Sequence, residues 1–225
     1  PHFDVDGTFQ VMLIASEGLD SMDTVDRRKL SYRLQMYLEQ ITHNGSFFYY
    51  NSFFVLVVNA LKPELVIELG EGMLKRAHKR MPDRPLYVGV GSQVTDIENL
   101  SVSYRRAEAA AQRAMRTKTA LLQFEEMGMY RLLYSCTDTG LLTEIQQETL
   151  SALEEYDRRH NSNYVETLRC YLEQDGSIQA MAQSMFTHRN TIIYRMNNIK
   201  KLLGTELATP AERLPYQIAF YIRGM

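Results

Sequence analysis

Apolar residues in the first half of the chain fall into short runs divided by longer amphipathic stretches. Phe9 to Ala15 (FQVMLIA) reads as a strand. A helix follows from about Asp23 to Thr42, with Leu30, Leu34, Tyr37 and Ile41 at i, i+4, i+7 and i+11. Phe47 to Tyr50 and Phe53 to Asn59 are aromatic and β-branched runs split by Asn51-Ser52, the two-residue spacing of a hairpin. Pro63 opens the next helix, where its missing N–H is harmless, and Val66, Leu69, Met73 and Ala77 form its apolar stripe. Gly70 and Gly72 lie inside that helix at about 1 kcal/mol each relative to Ala, so packing must support it. Leu86 to Val90 is another strand, and Thr95-Asp96-Ile97-Glu98 has the form of a capping box opening a helix that runs to about Arg116. Ala107, Ala110, Ala111 and Ala114 line one side of it, small enough for close approach to a sheet or to a partner subunit. Ala120 to Phe124 is the last strand, so the order is β-α-β-β-α-β-α-β with a central hairpin: an α/β sandwich.

From Glu125 the pattern turns wholly helical, and the boundary is placed near Asp138-Thr139-Gly140, giving an α/β domain over 1–137 and an all-α domain over 138–225. Ser177 to Gly204 predicts two helices joined by a short turn, a helix-turn-helix. In the second helix Ile192, Met196, Ile199 and Leu203 make one buried stripe. The opposite face carries Asn190, Thr191, Tyr194, Asn197, Asn198 and Lys201, the donors and acceptors that base edges and phosphates require. In the first helix Ala182, between Met181 and Met185, allows a close crossing, but Phe186-Thr187 fills the turn where a glycine is usual. Thr209-Pro210-Ala211-Glu212 again has the form of a capping box; Pro215 either kinks that last helix or marks its true start.

Charge sharpens the picture. The whole chain carries −2, which argues against coating nucleic acid by bulk charge. Between Phe186 and Leu203, however, Arg189, Arg195, Lys200 and Lys201 stand without any Asp or Glu. From Ser177 onward six cations face two acids, a local excess of +4 on a body of −6. An apolar share of 45% is enough to bury a core. Cys136 and Cys170 are isolated, the usage of a reduced cytoplasmic protein with packing cysteines, and no apolar run reaches the ~20 residues of a membrane span. Pro1 in place of Met suggests a missing N-terminal portion.

Catalytic chemistry finds little support. Gly89-Val90-Gly91 begins like a dinucleotide loop, but Val94 stands where the third glycine belongs, so a strand-end turn is the better reading. His78 lies on a helix flank and His2, His43 and His160 in apparent loops, none with a second ligand at i+4. No Gly-x-Ser-x-Gly occurs, and neither cysteine has a catalytic partner nearby, so no cofactor and no metal is expected. Methionines 115, 127, 129, 181, 185 and 196 lie on predicted helix faces and read as core filling.

The run FTHRNTIIYRMNNIKKLLG resembles the C-terminal helix-turn-helix of PucR/CdaR-type bacterial transcription regulators, through His188-Arg189-Asn190-Thr191, Tyr194-Arg195, Ile199 and Gly204. Glu155-Tyr156-Asp157, Val165-Glu166-Thr167-Leu168 and Pro210-Ala211-Glu212-Arg213-Leu214 resemble the same family's flanking segments. The upstream sandwich is similar to the family's GGDEF-like domain, a relative of the nucleotide cyclases, through Ser103-Tyr104-Arg105 and the alanine helix; residues 126–133 resemble its junction helix. The resemblance implies DNA binding and transcriptional control, and members often carry a sensor domain upstream, through which a small-molecule effector would act. Active cyclases of this fold hold two Mg²⁺ ions on carboxylates of the first strand and the hairpin; here the turn is Asn51-Ser52, and Asp4 and Asp6 precede the strand, so no cyclase activity is expected. Within the helix-turn-helix, Asn190, Thr191 and Tyr194 are expected at bases, Arg189, Arg195 and Lys201 at phosphates, His188 at either, and Asn198 completes the set. One such helix covers one half-site, so a homodimer is expected. The competing reading is a small-molecule- or protein-binding module whose terminal helices make subunit contacts without DNA.

Overall fold

The computed structural model describes residues 7–39, 45–59 and 61–225. Asp4, Asp6, His2, His43 and the expected helical end at Ile41-Thr42 lie outside them. The chain divides into two compact units, one ending at Arg131 and one running from Leu132 to Met225. The division falls ahead of the expected 137/138 boundary.

In the first unit, β1 (Phe9–Ala15) lies at the centre of a five-stranded sheet with β2 (Gly45–Tyr50), β3 (Phe53–Asn59), β4 (Tyr87–Val90) and β5 (Leu121–Gln123), in the order β2-β3-β1-β4-β5. Among the described strands, only β4 and β5 pair in parallel. Helices cover both faces. α1 (Thr24–Glu39) and α2 (Pro63–Arg80) contribute Leu30, Leu34, Val66 and Leu69 to the side where Met12, Ile14, Phe54 and Leu56 are buried. α3 (Leu100–Thr117) lays Ala107, Ala111 and Ala114 against Val11, Leu13, Val55 and Tyr87 on the other. Burial on both sides explains why β1 and β3 are nearly continuous apolar runs instead of alternating ones.

The alanine side of α3 is thus consumed by its own sheet and is not a surface for a partner subunit. Gly89 and Gly91 meet it: a Cβ at Gly89 would strike the backbone of Ala107 and Ala111, and one at Gly91 the carbonyl of Ser103. These glycines serve close helix–strand approach, neither a phosphate loop nor a bare turn. Ser103 lies fully buried at this crossing, where its Oγ accepts from Val11 N–H at 2.9 Å; the Ser-Tyr-Arg element therefore closes a backbone bond of the central strand.

The hairpin forms at the expected place. Asn51 (φ 45°) and Ser52 (φ 70°) both take the left-handed region, as a tight two-residue turn demands. The expected capping box at Thr95 to Glu98 does not form. Phe9 N–H to Val94 O (2.7 Å) and Val94 N–H to Phe9 O (2.8 Å) hold Val94 to the sheet, and Thr95 Oγ1 donates to Asp96 Oδ2. A 3₁₀ turn, Ile97–Asn99, precedes α3 instead.

The second unit is helical: α4 (Tyr130–Ser135, begun at the boundary), α5 (Thr139–His160), α6 (Tyr164–Glu173), α7 (Ile178–Ser184), α8 (Arg189–Leu203) and α9 (Pro210–Arg223). Its core gathers Leu153, Leu168, Met181, Ile192, Met196 and Ile199. Met127, Met181 and Met196 fill cores as expected, whereas Met129 is exposed. α9 starts at Pro210 and continues through Pro215, with Thr209 Oγ1 accepting from Glu212 N–H. The return bond of that capping box goes one residue further back, from Ala208 N–H to Glu212 Oε2 at 2.7 Å.

Candidate nucleic-acid interface

α7 and α8 build the site. Ser177 Oγ caps α7 by accepting from Ala180 N–H, and after Ser184 the backbone turns sharply. Thr187 N–H donates to Ala182 O at 3.0 Å, and Phe186 takes φ 49°. A left-handed conformation at a residue with a Cβ costs about 1–2 kcal/mol, so the turn tolerates phenylalanine where glycine would be free of strain. His188 then caps α8, its Nδ1 accepting from Asn190 N–H at 3.2 Å. Gly204, at φ 64°, closes the helix through its N–H to Lys200 O.

Ile192, Met196 and Ile199 face the core, which fixes the rotation of α8. The outward line is Asn190, Tyr194, Asn197 and Lys201, at i, i+4, i+7 and i+11, all exposed. His188, Arg189 and Thr191 are exposed beside its N-terminal end, while Arg195 is half-buried on the flank.

Asn198 departs from its expected place among these residues. It is half-buried, and its Nδ2 donates to the Tyr164 phenol at 3.0 Å, so its amide is turned to α6. Asn197, its neighbour on the polar half of α8, is the amide that faces outward. Helical register had put both amides on the polar half of α8; only the presence of Tyr164 beneath one of them separates the pair. Ile193, 37% exposed, adds an apolar group that the polar pattern of the face did not suggest.

The cations also sort into two groups. Lys200 pairs with Glu206 (3.5 Å), Arg213 with Asp175 (2.7 Å) and Arg223 with Glu154 (3.0 Å). Arg213 is further engaged by the carbonyl of Leu207, to which its Nε donates at 2.6 Å, so it braces the α8–α9 connection. Arg189, Arg195 and Lys201 have no acidic partner among the described residues. Three of the six cations after Ser177 are thus paired with acids, and the other three lie on α8, Arg189 and Lys201 exposed and Arg195 half-buried on its flank.

A rigid support lies beneath. Asp157, near the end of α5, caps α6: its Oδ1 accepts from Tyr164 N–H (2.7 Å) and Ser162 Oγ (2.6 Å), and its Oδ2 from Val165 N–H (3.0 Å). Tyr156 stacks on Tyr164 with ring centroids 4.7 Å apart. Burial pushes the Cys170 thiol up, as befits a packing cysteine. No helix among the described residues is long and apolar enough to cross a membrane.

Comparison with known proteins agrees with both units. Residues 164–222 match the PucR C-terminal helix-turn-helix domain and residues 2–112 the GGDEF-like domain. With both matches on one chain, the protein belongs to the PucR-type family. It is 26% identical over 154 residues to the DNA-binding transcriptional activator AdeR of Bacillus subtilis, spanning 67% of this chain and 36% of that protein. It is 24% identical over 139 residues to the proline-responsive transcriptional activator PutR of the same organism, spanning 60% of this chain and 34% of the relative. The chain thus spans about a third of the length of these relatives. Among solved structures, a regulator of polyketide synthase expression from Bifidobacterium adolescentis superposes on 96% of this chain and 80% of its own, at 17% identity and a TM-score of 0.39. The GGDEF domain of FimX from Pseudomonas aeruginosa superposes on 53% of this chain and 82% of its own, at 16% identity and a TM-score of 0.41.

Proposed function

We propose that this chain is a sequence-specific DNA-binding transcription regulator that reads the major groove with α8. One observation carries the reading: Asn190, Tyr194, Asn197 and Lys201 form an exposed line, flanked by Arg189 and Arg195, on a segment without a single acid. Amides and a phenol can pair with base edges, Asn bidentately with adenine, while unpaired cations displace counterions from phosphates. The names of AdeR and PutR support the same assignment.

In this reading Asn190, Thr191, Tyr194 and Asn197 meet bases; Arg189, Arg195 and Lys201 meet phosphates; and His188 chiefly orders the first turn of α8. Asn198 acts from behind, through Tyr164. The GGDEF-like unit, carrying Asn51-Ser52 at its hairpin, serves dimerisation or signal relay without catalysis, and the DNA-binding unit begins near Asp138. A homodimer in the cytoplasm places two reading helices on two half-sites, under control of a small-molecule effector.

The test is fluorescence anisotropy on duplexes drawn from the region upstream of the chain's own coding sequence, across a salt series, beside an Arg189→Ala/Lys201→Ala variant. Tight binding that falls steeply with salt and collapses in the variant is expected. Absence of binding at low salt overturns the reading and favours helices turned to protein contacts.

A further inference from the structure

Phe186, in the turn between α7 and α8, is 97% exposed. Two physical effects act against phenylalanine there in the isolated chain. Its backbone sits at φ 49°, a region that favours glycine or asparagine. Its ring, almost wholly in water, gains no burial from the protein. The backbone around it is nonetheless fixed, since Phe186 N–H donates to Gln183 O at 3.3 Å, Thr187 N–H to Ala182 O at 3.0 Å, and Thr187 Oγ1 to Met185 O at 2.9 Å. The turn therefore holds an aromatic ring out into solvent from a defined place.

That place is two residues before the His188 cap, at the end of α8 that presents Arg189 and Asn190. A surface joining cations without acidic partners, amides and one bare ring is complementary to a duplex. A duplex offers phosphates beside aliphatic deoxyribose and, on its groove edge, thymine methyl groups. We propose that Phe186 is an apolar DNA contact, packing on the aliphatic surface of deoxyribose or thymine methyl beside the bases read by α8. This rests on the DNA-binding reading above and adds to it a residue that polar patterning does not reveal.

The experiment compares the full chain with Phe186→Leu, Phe186→Asn and Phe186→Gly on the tightest-binding upstream duplex, and on the same duplex with deoxyuridine in place of thymidine. Asn and Gly both accept the left-handed backbone, so both variants are expected to keep or raise the thermal midpoint while binding about tenfold more weakly or worse. Leu, which keeps apolar surface, is expected to bind within about threefold of the parent. If thymine methyls are the contact, deoxyuridine weakens the parent but leaves Phe186→Asn nearly unaffected; if deoxyribose is, both respond alike. Binding by Phe186→Asn equal to the parent overturns the proposal, including the case in which Gly alone weakens, which would make turn rigidity the role. A shift of Phe186→Asn to a smaller species in sedimentation, with unchanged intrinsic binding, overturns it in favour of a subunit contact. Failure of the parent itself to bind any duplex removes the underlying DNA reading, an outcome separate from these.

Discussion

The side-chain amide of Asn198 donates to the phenol oxygen of Tyr164 across 3.0 Å, joining α8 to α6. Tyr164 is itself stacked on Tyr156 of α5, so one short series of contacts keys α8 to two supporting helices. Asn198→Ala and Tyr164→Phe are each expected to lower stability by about 1 kcal/mol, the usual worth of such a bond. Both should weaken binding to specific and random duplexes alike. Denaturant unfolding and anisotropy on the two duplexes check this; loss confined to the specific duplex would instead make Asn198 a base contact.

Asn197 should behave in the opposite way. With its side chain exposed and in line with Asn190 and Tyr194, Asn197→Ala is expected to leave unfolding unchanged within about 0.5 kcal/mol. It should cost about 1–3 kcal/mol at one preferred base pair. A panel of single-base-pair variants of the bound duplex measures that cost position by position.

Gly89→Ala should be severely destabilising, by about 3 kcal/mol or more, because the new Cβ meets backbone of α3 that has no room to yield. Gly70→Ala should change stability by about 1 kcal/mol or less. Its new methyl meets only the ends of Leu121 (2.7 Å) and Met12 (3.0 Å), which can move, and Ala gains helix propensity. Urea midpoints of the two variants compare them directly.

Glu108, half-buried on α3, has its carboxyl raised above the usual carboxylate range by burial. Folding therefore favours its neutral form. Its penalty is absent below the ordinary carboxylate value and grows as pH rises through the raised one, so stability attributable to Glu108 is lost on going up in pH. Glu108→Gln should raise the thermal midpoint at neutral pH and have little effect near pH ~4. A midpoint difference that is constant across this range would contradict the assignment.

Much of this molecule was legible in its sequence because its elements are short and their burial one-sided or complete. FQVMLIA and FFVLVVN have the length and composition of strands, and Asn51-Ser52 between two such runs has the spacing of a hairpin; all three form as expected. The stripe Ile192, Met196, Ile199 fixed which side of α8 faces inward. What escaped depended on contacts distant in the chain. Thr95 cannot cap α3 because Val94 is held by Phe9, far away in sequence. Asn197 and Asn198 are chemically identical neighbours until Tyr164 claims one. Three of the six terminal cations are engaged by Asp175, Glu154 and Glu206, of which only Glu206 lies near its partner in the chain.

The glycine seam between β4 and α3 has a mechanical consequence. With Gly89 and Gly91 in backbone contact range of α3, and Ser103 pinned to Val11, the helix cannot slide along the strand without steric collision and loss of a buried bond. Helix and sheet must then move as a single stiff plate.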